Sequence, residues 1–358
     1  MEPDAKVKFA RALIPVSAHS AYLNTASLGP VSTIYAQTLA ACTSSDLTNG
    51  RAVAPRYERM RAATECIREE IAALVGAESR QIVLTQSTSD GLAAAIAHIA
   101  WQAGDEVVTT DAEHEACAEP IARLQQRHGV ITRVAAVPAE PAENLDWLLT
   151  QMSPRTRLVA FSAVTFKNGY RMPVERIVES ARTRGVQTLL DAAQCVGAAP
   201  LALADWGVDY CAMPLQKWLC GPDGLGALYV RDGTTAAISR DRVVRDWGTL
   251  EATAEHLATL SRALGWNWIL ARTAALARHA RQCARTVPGW TLETPAEHAG
   301  LVTIRSSHSD IGHVVDHLQR SNFVFRYRPE TQSLRIATAF FNTESEIDSF
   351  FAAIRAFD

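Results

Sequence analysis

The chemistry-bearing residues of this 358-residue chain begin with Lys217, in the segment MPLQKWLCGPDGLGALYV, between an apolar run and a glycine-rich turn that leads into another apolar run. An amine held at a dry sheet edge loses part of its proton affinity and becomes a nucleophile. Taken alone, the same lysine reads first as a side chain lying along an apolar surface with its head in water, and its context is what changes that reading. Asp191 closes the apolar run QTLL and opens DAAQ, and His114 follows a third such run in DAEHEACAEP. Ser87, Thr88 and Ser89 stand just before Asp90 and Gly91, where a helix is expected to start. Hydroxyls and free amides at a helix N-terminus suit an anion such as phosphate. Four groups, each at the end of an expected strand, would meet on one rim, where open α/β sheets place their ligands.

The elements that must position them are readable as alternating periodicities. Strands are expected at 81–85, 106–109, 131–135, 157–162, 187–191, 210–213 and 226–230, with helices at 90–101, 119–128 and 174–184 between them. Strand–helix alternation at this spacing predicts an α/β fold, a mostly parallel seven-stranded sheet covered on both faces. From 251 to 287 the apolar residues Leu257, Leu260, Leu264 and Trp268 recur at three and four, which predicts one long helix. Strand, helix, strand, strand, helix then follow at 300–305, 310–321, 323–327, 333–337 and 344–356, a smaller C-terminal α+β domain. The expected division is 1–248 for an N-terminal arm and large domain, and 249–358 for the connecting helix and small domain.

Composition narrows the class. Apolar residues are 48% and charged residues 20% of the chain, enough for a buried core, and the net charge of −3 carries no footprint for nucleic acid or an anionic membrane. The opening MEPDAKVKFARALIPV lacks the apolar core of a secretory signal, and no apolar run is long enough to cross a bilayer, so a soluble, cytoplasmic protein is expected. Seven scattered cysteines without a C-x-x-C pair read as small hydrophobes in a reducing compartment. His308, His313 and His317 read as a polar helix face, and no metal site is expected. GPDGLG precedes a strand, against a dinucleotide-binding turn.

The order STSDG, EHEA, DAAQ, QKWLCGPDGLGALYV resembles the class V aminotransferase family of pyridoxal 5′-phosphate enzymes, over nearly the whole chain from Tyr22-Leu-Asn-Thr to Phe341-Asn-Thr-Glu. The resemblance implies roles. Lys217 would bond the cofactor aldehyde and afterwards move protons, and Asp191 would keep the pyridine nitrogen protonated. His114 would stack on the ring and serve as acid or base, while Gln194 would bond the phenolic oxygen. Thr88 and Ser89 would cradle the phosphate, with Thr249 lent by a neighbouring subunit, which implies a homodimer with active sites at the interface. Arg335 would clamp the α-carboxylate of a small amino-acid substrate. Three positions depart from the common pattern: Gln216 stands where histidine is frequent, Pro214 where a serine binds phosphate, and Phe166 where Asn or Ser faces the phenolic side. Phe166 is therefore expected to reshape the substrate pocket.

A persulfide-forming desulfurase needs a thiol on a loop of the small domain, and no cysteine follows Cys283, itself inside the expected long helix. The leading expectation is a C–S β-lyase acting on an S-substituted cysteine in specialised metabolism. Transamination, epimerisation and decarboxylating oxidative deamination use the same groups and stay open. A cofactor-binding pseudoenzyme is the non-catalytic alternative, disfavoured by the joint presence of Lys217, Asp191, His114 and Arg335.

Overall fold

The computed structural model describes residues 1–138, 144–231, 238 and 246–356. Its N-terminal segment carries α1 (Pro3–Leu13), β1 (Ala21–Tyr22), α2 (Thr33–Asn49) and α3 (Ala54–Val75). The large unit follows as β2 (Ile82–Thr85), α4 (Thr88–His98), β3 (Glu106–Thr110), α5 (Glu115–His128), β4 (Ile131–Ala135) and α6 (Asp146–Leu149). It continues through β5 (Thr156–Ser162), α7 (Val174–Arg182), β6 (Gln187–Asp191), α8 (Leu203–Trp206), β7 (Tyr210–Pro214) and β8 (Gly226–Val230). These strands form one seven-stranded sheet in the order β2-β8-β7-β6-β5-β3-β4.

Only β8 runs against its neighbours, antiparallel to both β2 and β7. Two reversals leave β2 pointing the same way as β7, so the C-terminal ends of β2, β3, β5, β6 and β7 share one rim. Alternate residues of each strand serve different faces, as the period of two requires. Leu84, Val108, Val159, Phe161, Leu190, Cys211 and Tyr229 join α3, α7 and α9 (Trp247–Thr259) on one side. Val83, Val107, Leu158, Ala160, Leu189, Tyr210 and Leu228 meet α4 and α5 on the other. Burial on both faces explains why these strands read as near-continuous apolar runs.

The C-terminal part comprises α10 (Trp266–Ala284), β9 (Trp290–Leu292), β10 (Leu301–Ser306), α11 (Gly312–Arg320), β11 (Phe323–Val324), β12 (Arg326–Arg328), β13 (Ser333–Ala337) and α12 (Glu344–Arg355). A four-stranded antiparallel sheet, β12-β13-β10-β9, packs beneath α10, α11 and α12. β1 pairs in parallel with β11 and sends Leu23 into that core, tying the N-terminal segment to the C-terminal one.

The expected strands agree with the structure to within a residue or two, β1 and β9 have no counterpart among them, and other elements differ as follows. The single helix expected over 251–287 is two: α9 ends in a wide π turn at Leu260–Leu264, and Gly265, at φ +81°, donates its N–H to Leu260 O before α10 begins. Glycine populates that left-handed region without strain, so the apolar spacing continues while the helix does not. The strand expected at 323–327 is two, because β11 pairs with β1 and β12 with β13. Helices α2 and α3 escaped the periodicity, and in α2 the cause is plain: Cys42 is its one buried residue.

His256, on α9, is fully buried. Its Nε2 lies 2.8 Å from Leu219 O and its Nδ1 2.9 Å from Ser32 Oγ. The carbonyl can only accept, so Nε2 carries the hydrogen and Nδ1 accepts from the serine. Burial pushes its pKa down to about 4. The unfolded chain therefore binds the extra proton first. Stability from the neutral ring is complete above about pH 6.5 and falls as pH drops towards 4, by about 3 kcal/mol in total. Denaturant melts between pH 7 and 4 will show this slope in the wild type, and His256→Gln will remove that share of it.

Candidate active site

Each strand end on the common rim delivers one part of a cleft of about 190 Å³. After β2, Ser87 caps α4 by accepting the Asp90 N–H at 3.1 Å, leaving Thr88 and Ser89 as the first two helical residues. The amides of that first turn have no partner within the helix, so hydroxyls and N–H groups together form a seat for a phosphate. After β3, His114 caps α5, its Nδ1 accepting the Ala116 N–H at 3.1 Å. That cap starts α5 four residues ahead of the expected position and fixes the imidazole at the rim. Phe166, beyond β5, meets the His114 ring edge-on, with centroids 5.1 Å apart at 80°.

Asp191 ends β6, 3% exposed, and its Oδ1 accepts the Ala193 N–H at 2.8 Å. Burial raises its carboxyl pKa, while that N–H, Lys217 and His114 pull it down. Burial likewise pushes the Lys217 amine below its ordinary range; Asp191 opposes the shift and Arg335 adds to it. Gln194 is buried with its amide oriented by two neighbours, Trp218 Nε1 donating to its Oε1 and its Nε2 donating to Ala26 O, both at 3.1 Å. The cleft is lined by Ser87, Thr88, Ser89, His114, Phe166, Asp191, Gln194, Gln216 and Lys217, among others.

A second cavity of about 390 Å³ opens from the same place, sharing His114, Phe166, Gln194 and Lys217 and adding Ser27, Arg326, Arg328, Glu330 and Arg335. Arg335, on β13, donates from Nη1 to Phe166 O at 2.7 Å and from Nη2 to Ser27 Oγ at 3.1 Å. Its pKa is pulled down to about 10, by burial first and then by the charges of Arg328 and Arg326. Thr249 is the one expected site residue that the fold does not bring here. It lies in the first turn of α9, its Oγ1 donating to the Asp246 carboxylate at 2.6 Å.

Matching the chain with known families now finds "Aminotransferase class-V" over residues 31–240. The chain belongs to the class V aminotransferase family. Pyridoxal 5′-phosphate is therefore its cofactor, and it is catalytic. Isopenicillin N epimerase from Streptomyces clavuligerus is 27% identical over 331 residues, 81% of this chain and 83% of that protein. A probable cysteine desulfurase from Mycolicibacterium paratuberculosis is 37% identical over 187 residues, 49% of this chain and 26% of that protein. Among solved structures, the cystine C–S lyase C-DES bound to cysteine persulfide superimposes with a TM-score of 0.88 at 21% identity, covering 96% of this chain and 99% of the other. A cysteine desulfurase from Escherichia coli gives 0.86 at 20%, covering 99% and 98%. At such identities the solved structures speak for the fold.

The residues fit this cofactor. The cleft pairs an anion seat with a buried carboxylate and an amine of lowered basicity. Two buried polar atoms, Gln216 Oε1 in the cleft and Arg335 Nε in the cavity beside it, also have no partner among the described residues. Several contributors escaped the sequence reading. Ser27 holds Arg335, Trp218 holds Gln194, and Glu113 accepts from Thr110 Oγ1 at 2.6 Å and from Ser162 N and Oγ at 3.0 and 2.7 Å. Burial, opposed by those donors, leaves the Glu113 carboxyl at about 7. Its one sequence signal was its place directly before His114.

Gly29 sets the position of the lysine loop. Its N–H donates to Gln216 O at 2.7 Å, and a Cβ there would lie 2.1 Å from Lys217 O, a backbone atom that cannot swing away. Gly29→Ala will displace Lys217 at a stability cost of about 1–3 kcal/mol. Visible absorbance per chain of the purified variant, read beside its melting curve, will show cofactor retention falling with stability.

Proposed function

We propose that the protein is a C–S β-lyase whose substrate is a cysteine bearing an acidic S-substituent. The observation that carries this reading is the second cavity, lined by three arginines and by no cysteine. A desulfurase that takes sulfur onto its own thiol needs a thiolate at the site. Here all seven thiols are pushed above their ordinary range by burial, Cys42 to about 11 and Cys195 to about 12. A lyase needs no thiol, since sulfur departs on the substrate's own substituent. Cystine, named for the similar solved lyase, is such a substrate: its substituent ends in a second carboxylate.

Each proposed role follows from placement. Thr88, Ser89 and the first-turn amides of α4 would hold the cofactor's phosphate, and Lys217 would hold its aldehyde end. Asp191, whose carboxylate form Lys217 and His114 favour against its burial, would hold a proton on the ring nitrogen. When bound, pyridoxal phosphate withdraws electrons from the substrate Cα. The freed amine of Lys217, less basic than an exposed lysine, takes the Cα proton. His114 would stack on the cofactor ring and Gln194 would bond its phenolic oxygen, while Phe166 narrows the substrate side and its carbonyl fixes Arg335. Arg335 forks onto the α-carboxylate. The Cβ–S bond breaks with both electrons leaving on sulfur. Overall, the S-substituted cysteine and water give thiol, pyruvate and ammonium.

The same reading makes the enzyme a homodimer in which Thr249 serves the partner's phosphate seat, supported by its position outside its own cleft. Sedimentation of the holoenzyme at two chains' mass is the expected outcome; one chain's mass would end that part. No helix among the described residues is long and apolar enough to cross a membrane.

Purified enzyme supplied with cystine or S-carboxyalkyl cysteines is expected to release one pyruvate per C–S bond broken, and Lys217→Ala none. Arg328→Ala should raise KM about tenfold or more for acidic substituents, the loss of a charge-assisted hydrogen bond, and leave S-methylcysteine unchanged. Amino-group transfer or Cα inversion without pyruvate would overturn the lyase reading.

A further inference from the structure

Outside the cleft, one cluster gathers three different ligand chemistries at a single point. His279 and Cys283 lie one turn apart on α10, and Asp348 faces them from α12. His279 Nε2 is 2.7 Å from Asp348 Oδ1, Cys283 Sγ is 3.7 Å from that nitrogen, and Cys283 Sγ is 3.5 Å from the same Asp348 oxygen. This is no nucleophile–base–acid relay. In a relay the thiol and the carboxylate engage opposite ring nitrogens, whereas here both meet Nε2.

The triangle has the size of a coordination face. Zinc sits about 2.3 Å from sulfur and about 2.1 Å from nitrogen or oxygen in a tetrahedron, giving S···N and S···O edges near ~3.6 Å and an N···O edge near ~3.4 Å. Two of the three edges already match, and the third, now 2.7 Å, opens by about 0.7 Å once the imidazole–carboxylate hydrogen bond is exchanged for metal bonds. His279 and Cys283 are half-buried and Asp348 is exposed, so a water completes the fourth position. Arg355 is the neighbouring cation, donating to Cys283 O at 3.3 Å and to Thr286 Oγ1 at 3.1 Å. Glu344, on the first turn of α12, is held by Arg272.

We propose that His279, Cys283 and Asp348 form a binding site for a zinc-class divalent cation that clasps α12 to α10. Binding releases the Cys283 thiol proton to solvent, moves the imidazole hydrogen to Nδ1, and leaves sulfur, Nε2 and a carboxylate oxygen on the metal. The mixed S, N, O donor set selects zinc or cobalt over magnesium and calcium, which take oxygen ligands. The two helices it joins pack over the sheet that carries Arg335, so the clasp stiffens the small unit without touching the cofactor cleft.

The test uses holoenzyme free of a histidine tag, titrated with zinc by calorimetry and with cobalt by visible difference spectra against the metal-free holoenzyme. One ion per chain, a thiolate-to-cobalt charge-transfer band and a rise in Tm with zinc are expected. Cys283→Ser should abolish the band, and Asp348→Asn, at an exposed position that spares the fold, should weaken affinity at least tenfold. Absence of binding at micromolar metal, or binding unchanged in both variants, would overturn the proposal. So would binding that depends on His114 instead of Cys283, since it would place the ion in the cofactor cleft.

Discussion

Lys217 and Asp191 share a rim from which water is largely excluded, and the rest of the site is arranged around the cost of that exclusion. Desolvation works on both charges, lowering the amine's proton affinity and raising the carboxyl's, and it is the largest influence on each. Their mutual attraction pulls the other way and keeps the pair from discharging. The Ala193 N–H and His114 help Asp191 remain a carboxylate, while Arg335 pushes Lys217 further towards a free amine. A lysine in water would be too well protonated to act as a nucleophile at neutral pH, and a lone buried aspartate would take up a proton. Together, in a half-dry cleft, each is poised for the other's use.

The sheet supplies that dryness. Five strand ends reach one rim because β8 alone is reversed, so the chain can return through the tight GPDGLG turn and still leave β2 and β7 pointing together. Asp191 pairs with Ser162 on one side and Ala212 on the other, deep enough in the sheet to be fixed by hydrogen-bonded neighbours. The substrate side is built differently. Arg335 comes from the small antiparallel sheet and is aimed by Ser27 of the N-terminal segment and by the Phe166 carbonyl. Three distant parts of the chain thus converge on one guanidinium. Rigid strands hold the reacting groups, and joined segments hold the group that recognises substrate.

The arginines give the second cavity its character. Arg326, Arg328 and Arg335 lie near enough to lower the proton affinity of the last, with Glu330 as the one acid in the lining. Arg328 Nε already pairs with Glu330 at 3.1 Å, while Arg326 and Arg335 leave a surplus of positive charge at the cavity, which suits the proposed substrate with acid at both ends. Phe166 contributes from its backbone as much as its ring, which its identity alone did not announce.

Much was legible in the residues themselves. Strands buried on both faces cannot hide their apolar runs, and β6, β8 and β13 fall where the pattern put them. The motifs around Lys217, Asp191, His114 and Thr88 were legible because each needs particular residue types at a strand's end, a local requirement written in consecutive letters. What the letters could not carry was anything set by contact between distant segments. Gly265 breaks a helix whose apolar spacing runs straight on. Glu113 draws its near-neutral carboxyl from packing beneath Ser162. Cys283, read only as a thiol in a helix, stands beside His279 and Asp348 because α12 folds back on α10, while His313 and His317 lie on α11. The sequence by itself determined the strand and motif inventory, because those depend on period and on side-chain chemistry. Tertiary structure decided the burial, charge neighbours and partners of each group, because those are properties of the space between segments.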